Sequence, residues 1–254
     1  MTDPTLKVEG LTKSFGGVVA TNNLFFDIEP GEIHAVIGPN GAGKTTLVAQ
    51  LSGMLKPDAG NILFLGRDIS GESAEARSHL GLARSFQITS IFRKFTVLAN
   101  VTLSIQAHQG HSFRFWKSAS TDPSLIEPAR KILEDVGLGK RANTIAGNLA
   151  HGEQRHLEIA MALATRPKLL LLDEPMAGMG AEDSDRMREF LSALKSDFSM
   201  LLIEHDMDTV FALADRVTVL VYGTAIATGT PEEIRQNDDV KAAYLGEDEE
   251  VEIA

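Results

Sequence analysis

Read for the alternation of apolar and polar positions, the chain divides into short strand-like runs and longer helical ones. "LKVEGLTKSF" (residues 6–15) and "LFFDIE" (24–29) have the length and the branched or aromatic content of strands. "IHAVIG", Ile33 to Gly38, is a continuous apolar run closed by glycine, which predicts a buried strand. Directly after it, "TTLVAQLSGML" carries Leu47, Leu51 and Leu55 four apart, so the period changes to that of a helix. "GNILFLG" (60–66) predicts a further strand between glycines. From Ile88 to about Gly147 strand signals fade and helical stretches such as "SLIEPARKILEDVGL" (124–138) take over. Strands return with "KLLLLDE" (168–174), "MLLIEH" (200–205) and "RVTVLVYG" (216–223), and "AEDSDRMREFLSALK" (181–195) reads as an amphipathic helix. "GTPEEI" starts a helix, with Thr230 as cap, Pro231 in the first turn, and Glu232 and Glu233 at the positive end of the dipole. The acidic ending "GEDEEVEIA" predicts a solvated, frayed tail.

Strands alternating with helices favour a mostly parallel sheet. The 254 residues, 43% of them hydrophobic, suffice for a substantial core. The formal net charge of −11 opposes non-specific nucleic-acid binding, which relies on lysine and arginine against phosphate. Cysteine is absent, which excludes disulfides and thiolate metal sites. No stretch approaches the roughly 18 apolar residues of a membrane span, and "MTDPTLKVEG" is unlike a signal peptide. Any membrane role is therefore expected to come through a partner.

"GPNGAGKTT", Gly38 to Thr46, fits the pattern G-x-x-x-x-G-K-[ST], for which a chance match in such a chain is on the order of 1%. Its setting, a strand before and a helix after, is the one the chemistry needs. Gly38, Pro39, Asn40, Gly41, Ala42 and Gly43 form a loop whose glycines let successive N–H groups converge on phosphate oxygens, and the helix N-terminus adds partial positive charge. Lys44 reaches the β- and γ-phosphates, Thr45 offers a hydroxyl to Mg²⁺, and Thr46 lies beside the phosphates. Asp173 follows four leucines, at the strand end where such sheets bind ligands. It is the candidate Mg²⁺ partner, and Glu174 the candidate general base for an attacking water. Two solvated acids at a strand end are the alternative.

With these motifs the chain resembles the ATP-binding subunits of ABC transporters over about Leu6 to Gly246. The resemblance implies a P-loop NTPase (RecA-like) core, α/β in class, with N-terminal antiparallel β strands and an inserted α-helical subdomain. It divides the chain into residues 1–87, a first core part; 88–154, the helical subdomain ending in a signature loop; 155–230, a second core part; and 231–254, a C-terminal helix and acidic tail. It implies that Gln87 of "RSFQ" contacts Mg²⁺ and the attacking water, that His205 bonds the γ-phosphate, and that Phe15 of "KSFGG" stacks on adenine. A surface glutamine, a structural histidine and a core or edge-strand phenylalanine are the competing readings.

In this family a signature loop, often L-S-G-G-Q, enters a helix and clamps the γ-phosphate bound by the opposite subunit. "LAHGEQ", Leu149 to Gln154, stands in that place within "NLAHGEQRHLEIA". Gly152 is kept. Ala150 replaces serine, Glu153 replaces glutamine and is expected to add negative charge near the γ-phosphate, Met161 replaces an arginine, and Gly180 of "MAGMG" replaces an aspartate. The expected cofactors are ATP and Mg²⁺. The expected partners are a second ATPase subunit, favoured as a different chain, and transmembrane permease subunits, with no nucleic acid. The expected location is the cytoplasmic face of the inner membrane, held through the permease. "FRKFTVLANV", "GNLAHGEQRHLEIAMAL" and "AAYLGE" resemble importers of branched-chain amino acids and related solutes. Export, as of lipopolysaccharide, and a DNA-associated ATPase are the alternatives. The second of these would call for a long coiled coil, and no sustained heptads occur between Gln87 and the signature. In the segment Ile88 to Phe95, some of Ile88, Ile91, Phe92 and Phe95 are expected to line a groove for a permease helix; burial of all four is the alternative.

Overall fold

The computed structural model describes residues 3–85, 91–109, 122–195 and 197–249. Two sheets form its frame. The smaller is antiparallel, with β2 (Val18–Ile28), β1 (Leu6–Phe15), β4 (Ala59–Phe64) and β5 (Arg67–Asp68) in spatial order. The larger has six strands in the order β10 (Thr224–Gly229), β9 (Arg216–Val221), β3 (Ile33–Ile37), β8 (Ser199–Ile203), β7 (Leu169–Asp173) and β6 (Leu82–Arg84). All its pairings are parallel except β10 with β9. This is the expected P-loop architecture, antiparallel N-terminal strands included.

The continuous apolar runs are explained by burial on both faces. Side chains alternate across a strand, so Leu169 and Leu171 of β7 join a core with Leu6, Leu47 and Phe64. Leu170 and Leu172 join the other core, with Val101, Leu157 and Met187. The first core is closed by the small sheet and α1 (Lys44–Leu51). The second is closed by α3 (Val97–His108), α4 (Pro123–Asp135), α5 (His151–Leu163) and α6 (Ala181–Leu194). Thr96 caps α3 by accepting from the Ala99 N–H at 3.1 Å, and Asp122 caps α4 from the Ser124 N–H at 3.1 Å.

Several elements depart from the sequence pattern. β2 starts at Val18, well before "LFFDIE", because it pairs with β1 across a bulged register and so tolerates the polar run Thr21–Asn23. α1 ends at Leu51, leaving Leu55 beyond it. The pattern does not announce β6, β10, α2 (Ala74–Leu80) or α7 (Met207–Leu213). The expected start at Thr230 is present as α8 (Pro231–Gln236), where Thr230 and Glu233 bond each other's backbone N–H groups. Where a frayed acidic tail was expected, α9 (Asp238–Glu249) carries the backbone through Gly246 to Glu249. Residues 250–254 lie outside the described part.

Candidate nucleotide site

Because β3, β8 and β7 are neighbours running in parallel, their carboxyl ends open on one edge of the sheet. β3 leads into the loop Gly38–Gly43. Gly38 (φ 154°) and Gly43 (φ 102°) are irreplaceable there: a Cβ on either would meet a backbone carbonyl, of Leu220 or Ala20, at 2.0 Å. The loop is thus pressed between the ends of β9 and β2, which fixes its curvature. Gly41 shares the positive φ. Ala42 is buried, Pro39 is half-buried, and Asn40 and Thr45 are exposed. Lys44 and half-buried Thr46 open α1, and the Lys44 ammonium donates to the Gly38 carbonyl and, at 2.9 Å, to that of Pro39. The lysine charge is therefore held at the centre of the loop.

Phe15 ends β1 at the hairpin opposite Val18, two residues before the Ala20 carbonyl that abuts Gly43. It is 51% exposed, which removes the core reading, and Lys13 Nζ lies 5.7 Å from its ring centre. An open aromatic face beside the phosphate loop suits a purine base.

Asp173 closes β7 and is buried, with its carboxyl pushed up by burial and drawn back by Arg84, whose Nη2 donates to Oδ2 at 3.0 Å. The sequence reading missed Arg84. Eighty-nine residues separate the pair, and only the placement of β6 beside β7 brings them together. Glu174 takes a left-handed φ of 48° while its N–H bonds the Ile203 carbonyl at 2.9 Å. That strained turn aims the residue off the end of β7. His205, at the end of adjacent β8 and 66% exposed, places Nδ1 3.8 Å from Glu174 Oε1. Gln87 and Ile88 lie outside the described residues.

The signature region is organised differently. Ala150 caps α5 without a side-chain bond, since alanine has no acceptor. Glu153 turns back to accept from the Ala150 N–H at 3.0 Å and pairs with Arg141 Nε at 2.9 Å. The carboxylate thus caps the start of its own helix. Gly152 is buried, and a Cβ there would come within 3.2 Å of the Asp183 side chain of α6, a tight contact that this side chain would have to yield to. Gly180 is the cap of α6, and Met161 packs against the second core. Gly178, between β7 and α6, lies against the His151 ring that begins α5.

Of the apolar segment before α3, Ile91 is buried whereas Phe92 (53% exposed) and Phe95 (47% exposed) stack at 5.7 Å on the surface. Asn100 holds this turn by bonding both the N–H (2.7 Å) and the carbonyl (3.2 Å) of Phe92. Beside it runs a 360 Å³ groove lined by Phe95, Leu98, Leu103 and Ile126. Among the described residues no helix is long and apolar enough to cross a membrane.

The pattern of the ABC transporter family matches residues 21–177, and that of the branched-chain amino acid ATP-binding cassette transporter C-terminus matches residues 226–250. The chain is 41% identical, over 97% of its length and all of the relative's, to the high-affinity branched-chain amino acid transport ATP-binding protein LivG of Escherichia coli (strain K12). It is 39% identical over 97% of its length to the corresponding protein BraF of Pseudomonas aeruginosa, which it spans completely. Among solved structures, an ATP-binding cassette of an ABC transporter in its ADP conformation superposes with a TM-score of 0.86 at 30% identity, over 96% of this chain and 100% of that one. The chain belongs to the ABC transporter family, as one of its nucleotide-binding ATPase subunits.

Proposed function

We propose that this chain energises solute uptake by an importer of the branched-chain amino acid type, docked on the cytoplasmic face of the inner membrane through permease subunits. The observation that carries the reading is the alignment of three groups on one sheet edge: the Lys44 loop after β3, Asp173 and Glu174 after β7, and His205 after β8. The names of the relatives support amino-acid import over export or DNA work.

In this reading Gly38 to Thr46 cradle the triphosphate and Phe15 faces adenine. Thr45, Asp173 and Gln87 are the residues that would hold Mg²⁺. A hydroxyl, a carboxylate and a side-chain amide are hard oxygen donors of the kind the ion uses alongside phosphate and water. When bound, the ion neutralises charge developing on the phosphates. Glu174 takes the proton of the attacking water and His205 bonds the γ-phosphate. Phe92, Phe95 and the adjoining groove receive a short apolar helix of the permease.

The second subunit of the sandwich is a different ATPase chain. Ala150 removes a hydroxyl donor and Gly180 a carboxylate from the surface that would face the partner's nucleotide, and a lost oxyanion-type donor such as that hydroxyl costs roughly 2.7–4 kcal/mol in a transition state. Two copies of this chain would thus form two weak sites. The test is reconstitution with the neighbouring ATPase, permeases and binding protein. ATPase activity should rise with a leucine-loaded binding protein, stay unchanged by DNA, and exceed that of this chain alone. Vigorous, cooperative hydrolysis by this chain alone, indifferent to Ala150→Ser, would overturn the heterodimer.

A further inference from the structure

One buried acid at the site has no part in the scheme above. Glu204 follows β8 in "LLIEHD", is 2% exposed, and its carboxyl is pushed up by burial, with the N–H donors of Met176 and His205 drawing it back. Oε1 accepts from the N–H of Met176 at 3.2 Å, two residues beyond Glu174, and Oε2 accepts from the N–H of His205 at 3.3 Å. His205 Nδ1 stands 3.9 Å from Glu204 Oε2 and 3.8 Å from Glu174 Oε1, so the imidazole is bracketed by two carboxylates. Those separations lie within ion-pair range and beyond hydrogen-bond length. A buried carboxylate is costly unless hydrogen-bonded or paired. Packing alone would be served better here by leucine or isoleucine, as at Leu202 and Ile203.

We propose that Glu204 is a positioning residue for hydrolysis: its carboxylate ties the backbone after the general base to the backbone of the switch histidine, so the two loops keep one relative geometry. The strand pairing ends at Asp173 with Ile203. Past that point the Glu174 N–H still bonds the Ile203 carbonyl, and the two Glu204 bonds continue the connection one step further. Glu204 also faces the imidazole, with Oε2 3.9 Å from Nδ1. The inference rests on the proposed roles of Glu174 and His205.

The test compares Glu204→Gln and Glu204→Leu in the full chain, assembled with its ATPase partner, measuring kcat, KM, affinity for a fluorescent ATP analogue, and melting temperature. Outer partners of this kind typically contribute roughly 10–100-fold to activity. Glu204→Leu should lower kcat by about that factor, with nucleotide affinity within about twofold of wild type. Glu204→Gln retains an acceptor and should restore part of the loss, without a lower melting temperature, because it removes a buried charge. Wild-type kcat in Glu204→Leu, or a loss shared equally by nucleotide affinity and kcat, would overturn the proposal. If the leucine variant does not fold, Glu204→Gln decides: a drop in kcat at unchanged melting temperature supports it, and full kcat overturns it. Glu174→Gln is the control for the underlying reading. If it hydrolyses normally, the assignment of the base has failed rather than that of Glu204.

Discussion

The cradle edge and the signature edge are both loop-to-helix entries, yet they deal with their polar groups in opposite ways. At the cradle, glycines pinned against the Leu220 and Ala20 carbonyls bend the loop, and no acidic side chain lies in the first turn of α1. The positive end of α1 thus carries no acid of its own first turn. At the signature, Glu153 occupies the end of α5 and Asp183 stands over Gly152, so the chain supplies its own acids. One helix N-terminus has no acid in its first turn, and the other has its cap N–H taken by its own glutamate. Sequence motifs mark both as phosphate loops, and the contacts show how differently the two are built.

The contrast can be broken or sharpened experimentally, and the largest effect is expected at the strand ends. Glu174→Gln should bind ATP with near-normal affinity and hydrolyse it about 10²–10⁴-fold more slowly, the usual worth of general-base help. Single-turnover assays with an active partner would check this, and near-normal turnover would remove Glu174 from the chemistry. Lys44→Ala removes a charge-assisted contact worth roughly 1.5–3 kcal/mol, so ATP affinity by calorimetry should fall about 10- to 100-fold. An unchanged Kd would show that the backbone amides suffice.

Phe92→Asp places a charge on a surface already half open to solvent. Solute uptake in vesicles should fall roughly 30-fold, as for a central interface anchor, while the isolated chain melts normally; a collapsed melting transition would make Phe92 a core residue instead. The smallest effect distinguishes the second edge. Ala150→Ser completes the half-made capping box and should stabilise the chain by about 0.5–2 kcal/mol. That corresponds to a few degrees in Tm at roughly 2–4 °C per kcal/mol. Absence of any gain would mean that Glu153 alone meets the needs of α5.

The cradle was legible because its chemistry is contiguous: nine residues carry bend, charge and hydroxyl between a strand and a helix. Asp173 and Glu174 stood out because an apolar run leads to them and a phosphate loop lies upstream, whereas His205 was singled out only by the family resemblance. What lay hidden depends on neighbours remote in sequence. Arg84 meets Asp173 only through a three-residue edge strand too short to show a period. β10, "TAIATG", is made of small and polar residues and takes its identity from pairing with β9. Glu153 reads as an intruding charge until its own helix is seen to use it. Glu204 stands in plain view beside His205, and an acid directly after an apolar run was the signal that could have drawn attention to it.

Strand β7 sends alternate leucines into two separate cores. The half that holds the Gly38–Gly43 loop and the half that carries the groove beside Phe95 therefore have one wall in common, and neither can come apart without exposing the other. Heating should produce a single transition, with calorimetric and van't Hoff enthalpies in agreement. Amides of β7 should exchange with solvent only through global opening, at rates independent of which half is observed.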